Sequence, residues 1–265
     1  MTTVDLGDVE LCAVVEGVGA PLLFIHGFPL DHTMWRGQIA EFSRTHRVIA
    51  PDLRGFGASG VTGPTATVAQ FADDLALLLD RLNVAEPVCY CGLSMGGSIG
   101  WEFFDRHRAR LKALIACDAR AQGDTPGGQD ARYKLIDRVL REGPEFVSTT
   151  MPERLFSSRT RSERPDIVAD VQEVIRRTHP EGIAAGARAL AERPDRRSLL
   201  SRIDVPALLI VGEDDVISTV DEMRSMAAAI PGAEFVAVPG AGHMAPLEDP
   251  KAVNLAIARF LGRIQ

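Results

Sequence analysis

The chain has 265 residues, 46% of them hydrophobic and 25% charged, which is enough apolar material for one large globular core and excludes a disordered, collagenous or coiled-coil protein. Its 29 Lys and Arg against 36 Asp and Glu leave a net charge of −7, a sign that opposes binding to nucleic-acid phosphates or anionic lipid and points to a small-molecule or protein partner. The N-terminal MTTVDLGDVE has neither the basic start nor the apolar run of a signal peptide, and the longest aliphatic stretch, 75–79, is too short to span a bilayer, so a cytoplasmic protein with no membrane association is expected.

Along the chain, 9–16 alternates loosely and predicts an outer antiparallel strand. Short apolar runs follow at 22–25, 48–50, 88–91, 114–117, 207–211 and 235–238, each ended by Gly, Pro or Asp. Unalternated runs of this kind predict strands buried on both faces of a parallel sheet. Between them the pattern turns helical. In 67–82, Val68, Phe71, Leu75, Leu78 and Leu82 recur at three- and four-residue steps, with Thr67 and Gln70 spaced as a capping box. Asp249 and Pro250 mark the start of a last helix that carries Val253, Ile257 and Phe260 on one stripe. Strand and helix in alternation predict an α/β protein.

The alternation stops at residues 121–198, where helical patterns are cut by Pro126, Pro144, Pro152, Pro165, Pro180 and Pro194. Acidic and basic side chains are close to balance there, while the rest of the chain carries the negative excess. The segment predicts a helical insertion over one end of the sheet, and the basic residues lack the aromatic interleaving of a nucleic-acid surface. The division expected is a core of 1–120 and 199–265 with a helical cap of 121–198.

Gly92-Leu93-Ser94-Met95-Gly96 lies between an apolar run and a helix-like stretch, the context of a serine nucleophile on a strained strand-to-helix turn. Such a serine needs a base, and the base needs an acid. Among six histidines, His243 in Gly240-Ala241-Gly242-His243-Met244 is placed on a loop after the last strand, where it can hang over the sheet edge. His32, His46, His107 and His179 have charged or polar neighbours and are expected at the surface. His26, opening His26-Gly27-Phe28-Pro29, is expected to orient its own loop by a hydrogen bond. For the acid, Asp215 and its neighbour Asp214 follow one strand and Asp118 follows another, and both strand ends are open on geometry. Asp52, ahead of the serine and close to Arg54, reads as a loop-fixing carboxylate. Cys12, Cys89, Cys91 and Cys117 all lie in strand-like runs, which predicts small core side chains rather than disulfides or a metal site.

With Ser94, an aspartate and His243 in that order, and with HGFP, DLRGFGAS and GAGH beside them, the sequence resembles the α/β-hydrolase superfamily from Leu22 to Leu261. It is most similar to the branch of small-molecule carboxylesterases, 3-oxoadipate enol-lactonases and cofactor-free haloperoxidase-like perhydrolases. The resemblance implies a mostly parallel sheet with helices on both faces and a cap insertion. It also implies Asp215 as the acid, from the pattern G-x-x-D starting at Gly212, and an oxyanion hole made by the Phe28 and Met95 N–H groups. Relatives that form an alkyl ester carry aspartate at the elbow, and Ser94 here points to acyl chemistry. The expected activity is hydrolysis of a small carboxylic ester through an acyl-enzyme, with no metal or organic cofactor. Enol-lactone hydrolysis, with Arg120 holding the substrate carboxylate, or perhydrolysis on the same triad are the alternatives, followed by a lyase or a ligand-sensing protein of this fold. Phe28, Met34, Trp35, Met95, Met151, Phe156 and Met244 are the candidate apolar wall.

Overall fold

The computed structural model describes residues 1–264. Eight strands form one sheet: β1 (Thr2–Asp5), β2 (Glu10–Glu16), β3 (Pro21–Ile25), β4 (Arg47–Pro51), β5 (Val88–Leu93), β6 (Leu111–Cys117), β7 (Ala207–Gly212) and β8 (Glu234–Val238). They lie in the order β1-β2-β4-β3-β5-β6-β7-β8, antiparallel from β1 through β4 and parallel from there on. Residues of β3, β5 and β7 are all buried, which is why those segments read as continuous apolar runs. The strand expected at 9–16 is present but is not outermost. That place belongs to β1, where only Val4 is buried and too little apolar pattern exists to announce a strand.

Helices α1 (Arg36–Phe42), α2 (Val68–Arg81) and α3 (Met95–His107) follow β3, β4 and β5. Thr67 caps α2, its hydroxyl oxygen accepting the Gln70 N–H at 3.0 Å. Between β6 and β7 the chain is helical: α4 (Pro126–Glu142), α5 (Glu145–Thr150), α6 (Pro152–Leu155), α7 (Ser158–Glu163), α8 (Pro165–Arg177) and α9 (Pro180–Ala191). Four of the prolines that interrupt the pattern here begin helices rather than break them, since the first helical residue needs no N–H and favours the fixed proline φ. Helices α10 (Val220–Ala229), α11 (Ala245–Glu248) and α12 (Pro250–Arg263) complete the chain, with Asp249 capping α12 through the Ala252 N–H. Helix α3 packs on β5 and β6 and against α2, while α12 packs on β7 and β8 and against α1. Among the described residues no helix is long and apolar enough to cross a membrane.

The parallel strands all point the same way, so the loops after β3, β4, β5, β6, β7 and β8 gather at one edge. That edge is where open α/β sheets hold their ligands.

Candidate active site

Ser94 follows β5 directly and takes φ 52° and ψ −108°, a conformation that costs a non-glycine residue free energy and lifts its side chain out of the turn. The surrounding glycines make this turn possible. A Cβ on Gly92 would lie 2.4 Å from the Gly96 carbonyl, and one on Gly96 would lie 2.3 Å from the Ile25 carbonyl oxygen. The Ser94 N–H donates to the Cys117 carbonyl at 2.9 Å and the Tyr90 hydroxyl donates to the Gly96 carbonyl at 2.6 Å, so the elbow is fastened to its neighbours. Ser94 is half-buried, and its hydroxyl has no hydrogen-bond partner among the described residues.

His243 and Asp215 meet on the loops after β8 and β7, with His243 Nδ1 2.8 Å from Asp215 Oδ2. Both side chains are almost completely buried. Asp215 is fixed from behind by the Ile217 and Ser218 N–H groups on Oδ1, at 2.7 and 3.1 Å. The two loops can touch because position 212 is glycine: a Cβ there would fall 2.1 Å from the Gly242 carbonyl oxygen. The Asp214 N–H then donates to the Ala241 carbonyl at 2.8 Å, while the Asp214 side chain faces solvent. Of the aspartates considered from sequence, Asp215 is therefore the one hydrogen-bonded to His243.

Asp118 is in the same cluster without bonding the imidazole. It is fully buried with φ 47°, and its Oδ1 accepts the Gly212 N–H at 2.8 Å while Oδ2 is unpartnered. Burial, and then the charge of nearby Asp215, push its carboxyl well above the usual carboxylate range.

Phe28 and Met95 present backbone N–H groups that donate to nothing among the described residues. Phe28 is joined to Pro29 by a cis peptide bond. His26 braces this loop as expected: the Leu53 N–H donates to Nε2 at 3.0 Å, so Nδ1 carries the proton and donates to the Gly27 carbonyl at 3.0 Å. Burial lowers its basicity, which suits this neutral tautomer.

Several expectations need correction. Trp35 has no exposed surface and packs on Phe24, ring centroids 5.0 Å apart, so it is core rather than substrate wall. Arg120 is held by Glu222 at 2.8 Å and lines a cavity of about 400 Å³ with Arg197, Asp221 and Met226. His32 is not a free surface residue, because Asp52 Oδ1 lies 2.7 Å from its Nδ1, and His107 is likewise paired with Asp73 at 2.7 Å. Asp52 fixes its loop as expected but through His32 and Ala58, while Arg54 turns to Asp74 and Asp8. Met34, Met95, Phe156 and Met244 are buried, Phe28 nearly so, and Met151 is half-buried. The four cysteines are free, with Cys12 half-buried and the other three buried. Two clusters bring His and carboxylate donor atoms within 4.8 Å of one another, Asp118-Asp215-His243 and Asp31-His32-Asp52. In each the imidazole Nδ1 is already bonded to a carboxylate, so a cation would have to displace that bond.

The sequence reading did not single out Glu248. Its carboxylate accepts N–H groups on both sides of His243 and a third from Ser157. The sequence offered little signal for it, because Glu248 closes the apolar stretch Met244-Ala245-Pro246-Leu247 and is followed by Asp249, so it reads as part of a polar helix start.

A serine on a strained elbow and a buried histidine–aspartate pair, carried by loops at the same edge of a parallel sheet, define the class of α/β hydrolases. The chain matches the alpha/beta hydrolase fold family over residues 20–250, and it belongs to that family. It is 30% identical to 3-oxoadipate enol-lactonase 2 of Acinetobacter baylyi over 242 residues, covering 91% of this chain and 88% of that protein. It also superposes on a thermophilic esterase from Thermogutta terrifontis with a TM-score of 0.96 at 41% identity, covering 99% and 98% of the two chains. The enol-lactonase from Burkholderia xenovorans gives 0.91 at 27% identity, with 98% and 100% covered. These relatives place the protein among hydrolases.

Proposed function

We propose that the protein hydrolyses a small carboxylic ester through an acyl-enzyme. Ser94 attacks the carbonyl carbon, His243 takes the hydroxyl proton and returns it to the leaving alcohol, and Asp215 holds the imidazole and stabilises its charged form. Water then attacks the acyl-serine with the same base. The Phe28 and Met95 N–H groups bind the oxyanion, each worth about 3 kcal/mol at the transition state.

The observation that carries this reading is the buried 2.8 Å bond between His243 Nδ1 and Asp215 Oδ2, which leaves Nε2 as the nitrogen to accept a proton from a nucleophile. The free hydroxyl of the strained Ser94 is the matching nucleophile. Residues 121–198 act in this reading as the cap. Support comes from α9, where a Cβ at Gly186 would lie 2.9 Å from the Phe28 ring and 2.7 Å from Phe56, so the insertion rests on the loop that carries the proposed oxyanion donor.

The enol-lactonase relative favours a lactone as second substrate class. A lactone bearing a carboxylate would need a cation to hold it, and Arg120 is committed to Glu222, so neutral esters and lactones are expected to be preferred. The experiment is Ser94→Ala with a panel of short p-nitrophenyl esters and lactones. Loss of turnover in a folded variant, with a fluorophosphonate adding once to wild type on Ser94, is the expected result. Retained turnover or labelling elsewhere overturns it.

A further inference from the structure

Three backbone N–H groups converge on one carboxylate beneath the His243 loop. Glu248 ends α11 and is nine-tenths buried. Its Oε1 accepts from Gly242 at 2.9 Å and from Met244 at 3.2 Å, the residues on either side of His243. Its Oε2 accepts from Ser157 at 3.0 Å, in the stretch between α6 and α7. Among the described residues no cationic side chain pairs with it, so these N–H donors are what offset removal of its charge from water. The two backbones also touch directly. The Met244 N–H reaches the Leu155 carbonyl at 3.1 Å, and a Cβ on Gly242 would fall 2.6 Å from the Ser157 nitrogen.

We propose that Glu248 is a positioning residue for the ester-cleaving reaction, fastening segment 155–157 of the insertion to the loop of His243 so that base and substrate wall are held as one body. This rests on the assignment of His243 as base made above. Two acceptor oxygens are needed, one for each segment, and only a carboxylate of this length supplies both. Glutamine keeps one acceptor and presents an NH₂ group to the other segment, so it can hold the His243 loop or Ser157 but not both. At Ser157 the backbone has φ −58° and ψ 156°, and Phe156 before it is extended, so the dihedrals admit proline, whose ring would occupy the place of the N–H and push Glu248 away. Proline removes the N–H together with the hydroxyl that caps α7, whereas alanine removes the hydroxyl alone. The difference between the two reports the loss of the contact between position 157 and Glu248.

The test uses the full chain, p-nitrophenyl acetate as substrate and a fluorophosphonate to count reactive Ser94. Glu248→Gln is expected to lower kcat per reactive site by about tenfold with KM changed by less than about twofold, because the base is displaced while the binding wall persists. Hydrogen exchange should speed up at the Ser157 amide or at the Gly242 and Met244 amides, while β5 and β6 keep wild-type protection. Ser157→Pro should show the same loss of kcat when compared with Ser157→Ala, and that pair carries the test if the Glu248 variant does not fold. Unchanged kcat in both variants, or a loss matched by equal loosening of β5 and β6, overturns the proposal. Turnover that survives Ser94→Ala would overturn the assignment of Ser94 and His243 instead, and exchange at Ser157 would still report whether the tether exists.

Discussion

Two histidine–aspartate pairs stand at the same edge of the sheet. In His243–Asp215 and in His32–Asp52 an imidazole Nδ1 meets a fully buried carboxylate, at 2.8 and 2.7 Å. By distance and burial of the acid they are equivalents. They differ in what surrounds them. His243 comes from the loop after β8, in the same family of strand ends that carries Ser94. His32 opens a short turn after β3 whose backbone N–H also donates to Asp52, and the cavity of about 310 Å³ beside it is lined by Thr33, Arg177 and Thr178 with no serine or cysteine. The second pair closes a loop, and in the proposed reading the first serves Ser94. A histidine bonded to a buried aspartate is thus a structural clamp until a third group meets its other nitrogen.

The strongest test of this contrast is to remove each acid in turn. Asp215→Asn is expected to lower kcat by about 10⁴, since the imidazole loses the partner that sets its tautomer. Asp52→Asn is expected to lower kcat by less than about tenfold while costing about 2 to 3 kcal/mol of stability, as it disturbs bonds to His32 and Ala58 inside the protein. Steady-state kinetics and urea unfolding on the two variants decide it. If Asp52→Asn cripples turnover as deeply as Asp215→Asn, the distinction between the pairs falls.

The clamp should also have its own pH signature. The bond to Asp52 raises the His32 imidazole above its usual value. A raised folded value means that the stability gained is fully present below the unfolded imidazole pKa of about 6.5 and is lost as pH rises through the folded value. Asp52 works at the other end: burial alone would raise its carboxyl, but the bonds from His32 and Ala58 outweigh this and hold it below the usual range. Its contribution is present above the unfolded carboxylate value and is lost as pH falls through the folded one. The stability difference between wild type and His32→Gln should therefore be greatest in mildly acidic solution and shrink above neutrality. A difference that stays flat from pH 5 to 9 would show that the charge of His32 adds nothing.

A smaller effect is expected in the proposed cap. Met151 is half-buried and adjoins α6, whose Leu155 carbonyl accepts the Met244 N–H. Met151→Ala should shift the preference among acyl chain lengths by about tenfold, through lost apolar contact, and leave deacylation of a common acyl group nearly unchanged. Equal changes for all chain lengths would remove Met151 from the substrate wall.

Most of the architecture was legible in the sequence for a physical reason. Strands buried on both faces must be apolar throughout, so β3, β5 and β7 announced themselves, and the glycines of the elbow are demanded by backbone contacts under 2.5 Å that no side chain tolerates. The insertion was legible as helical although its prolines looked like breaks, because proline is equally at home at a helix start. What escaped was pairing at long sequence separation. Nothing near Arg120 points to Glu222, and nothing near His32 points to Asp52. Trp35 shows the same limit from the apolar side, since a tryptophan beside a candidate loop reads as wall or core until its packing against Phe24 is seen.

Asp118 is the residue on which the contrast between clamp and catalyst can be drawn most finely. Its carboxyl lies within 4.8 Å of both Asp215 and His243 and leaves another strand end of the same edge, so sequence and topology make it an equal candidate for the acid. Its surroundings separate the two. Buried without a cation and next to the Asp215 charge, its carboxyl is pushed well above the usual range, which opposes the anionic form that would stabilise an imidazolium. Asparagine matches a protonated carboxyl in shape, can keep the acceptor for the Gly212 N–H, and offers an NH₂ where the acid offered its O–H. The sign of the stability change follows. A carboxyl with a raised folded value contributes stability that is fully present below the unfolded value of about 4 and is lost as pH rises from there through the folded value. Asp118→Asn should therefore fold, reduce kcat by no more than about tenfold against the roughly 10⁴ expected for Asp215→Asn, and gain stability relative to wild type as pH rises above the unfolded carboxylate value of about 4. Asp214→Asn, at an exposed position, should change neither. Thermal melts from pH 4 to 9 alongside ester hydrolysis test both halves. An Asp118 variant as inactive as the Asp215 variant, with no gain in stability as pH rises, would make Asp118 a working member of the charge system and not a bystander beside it.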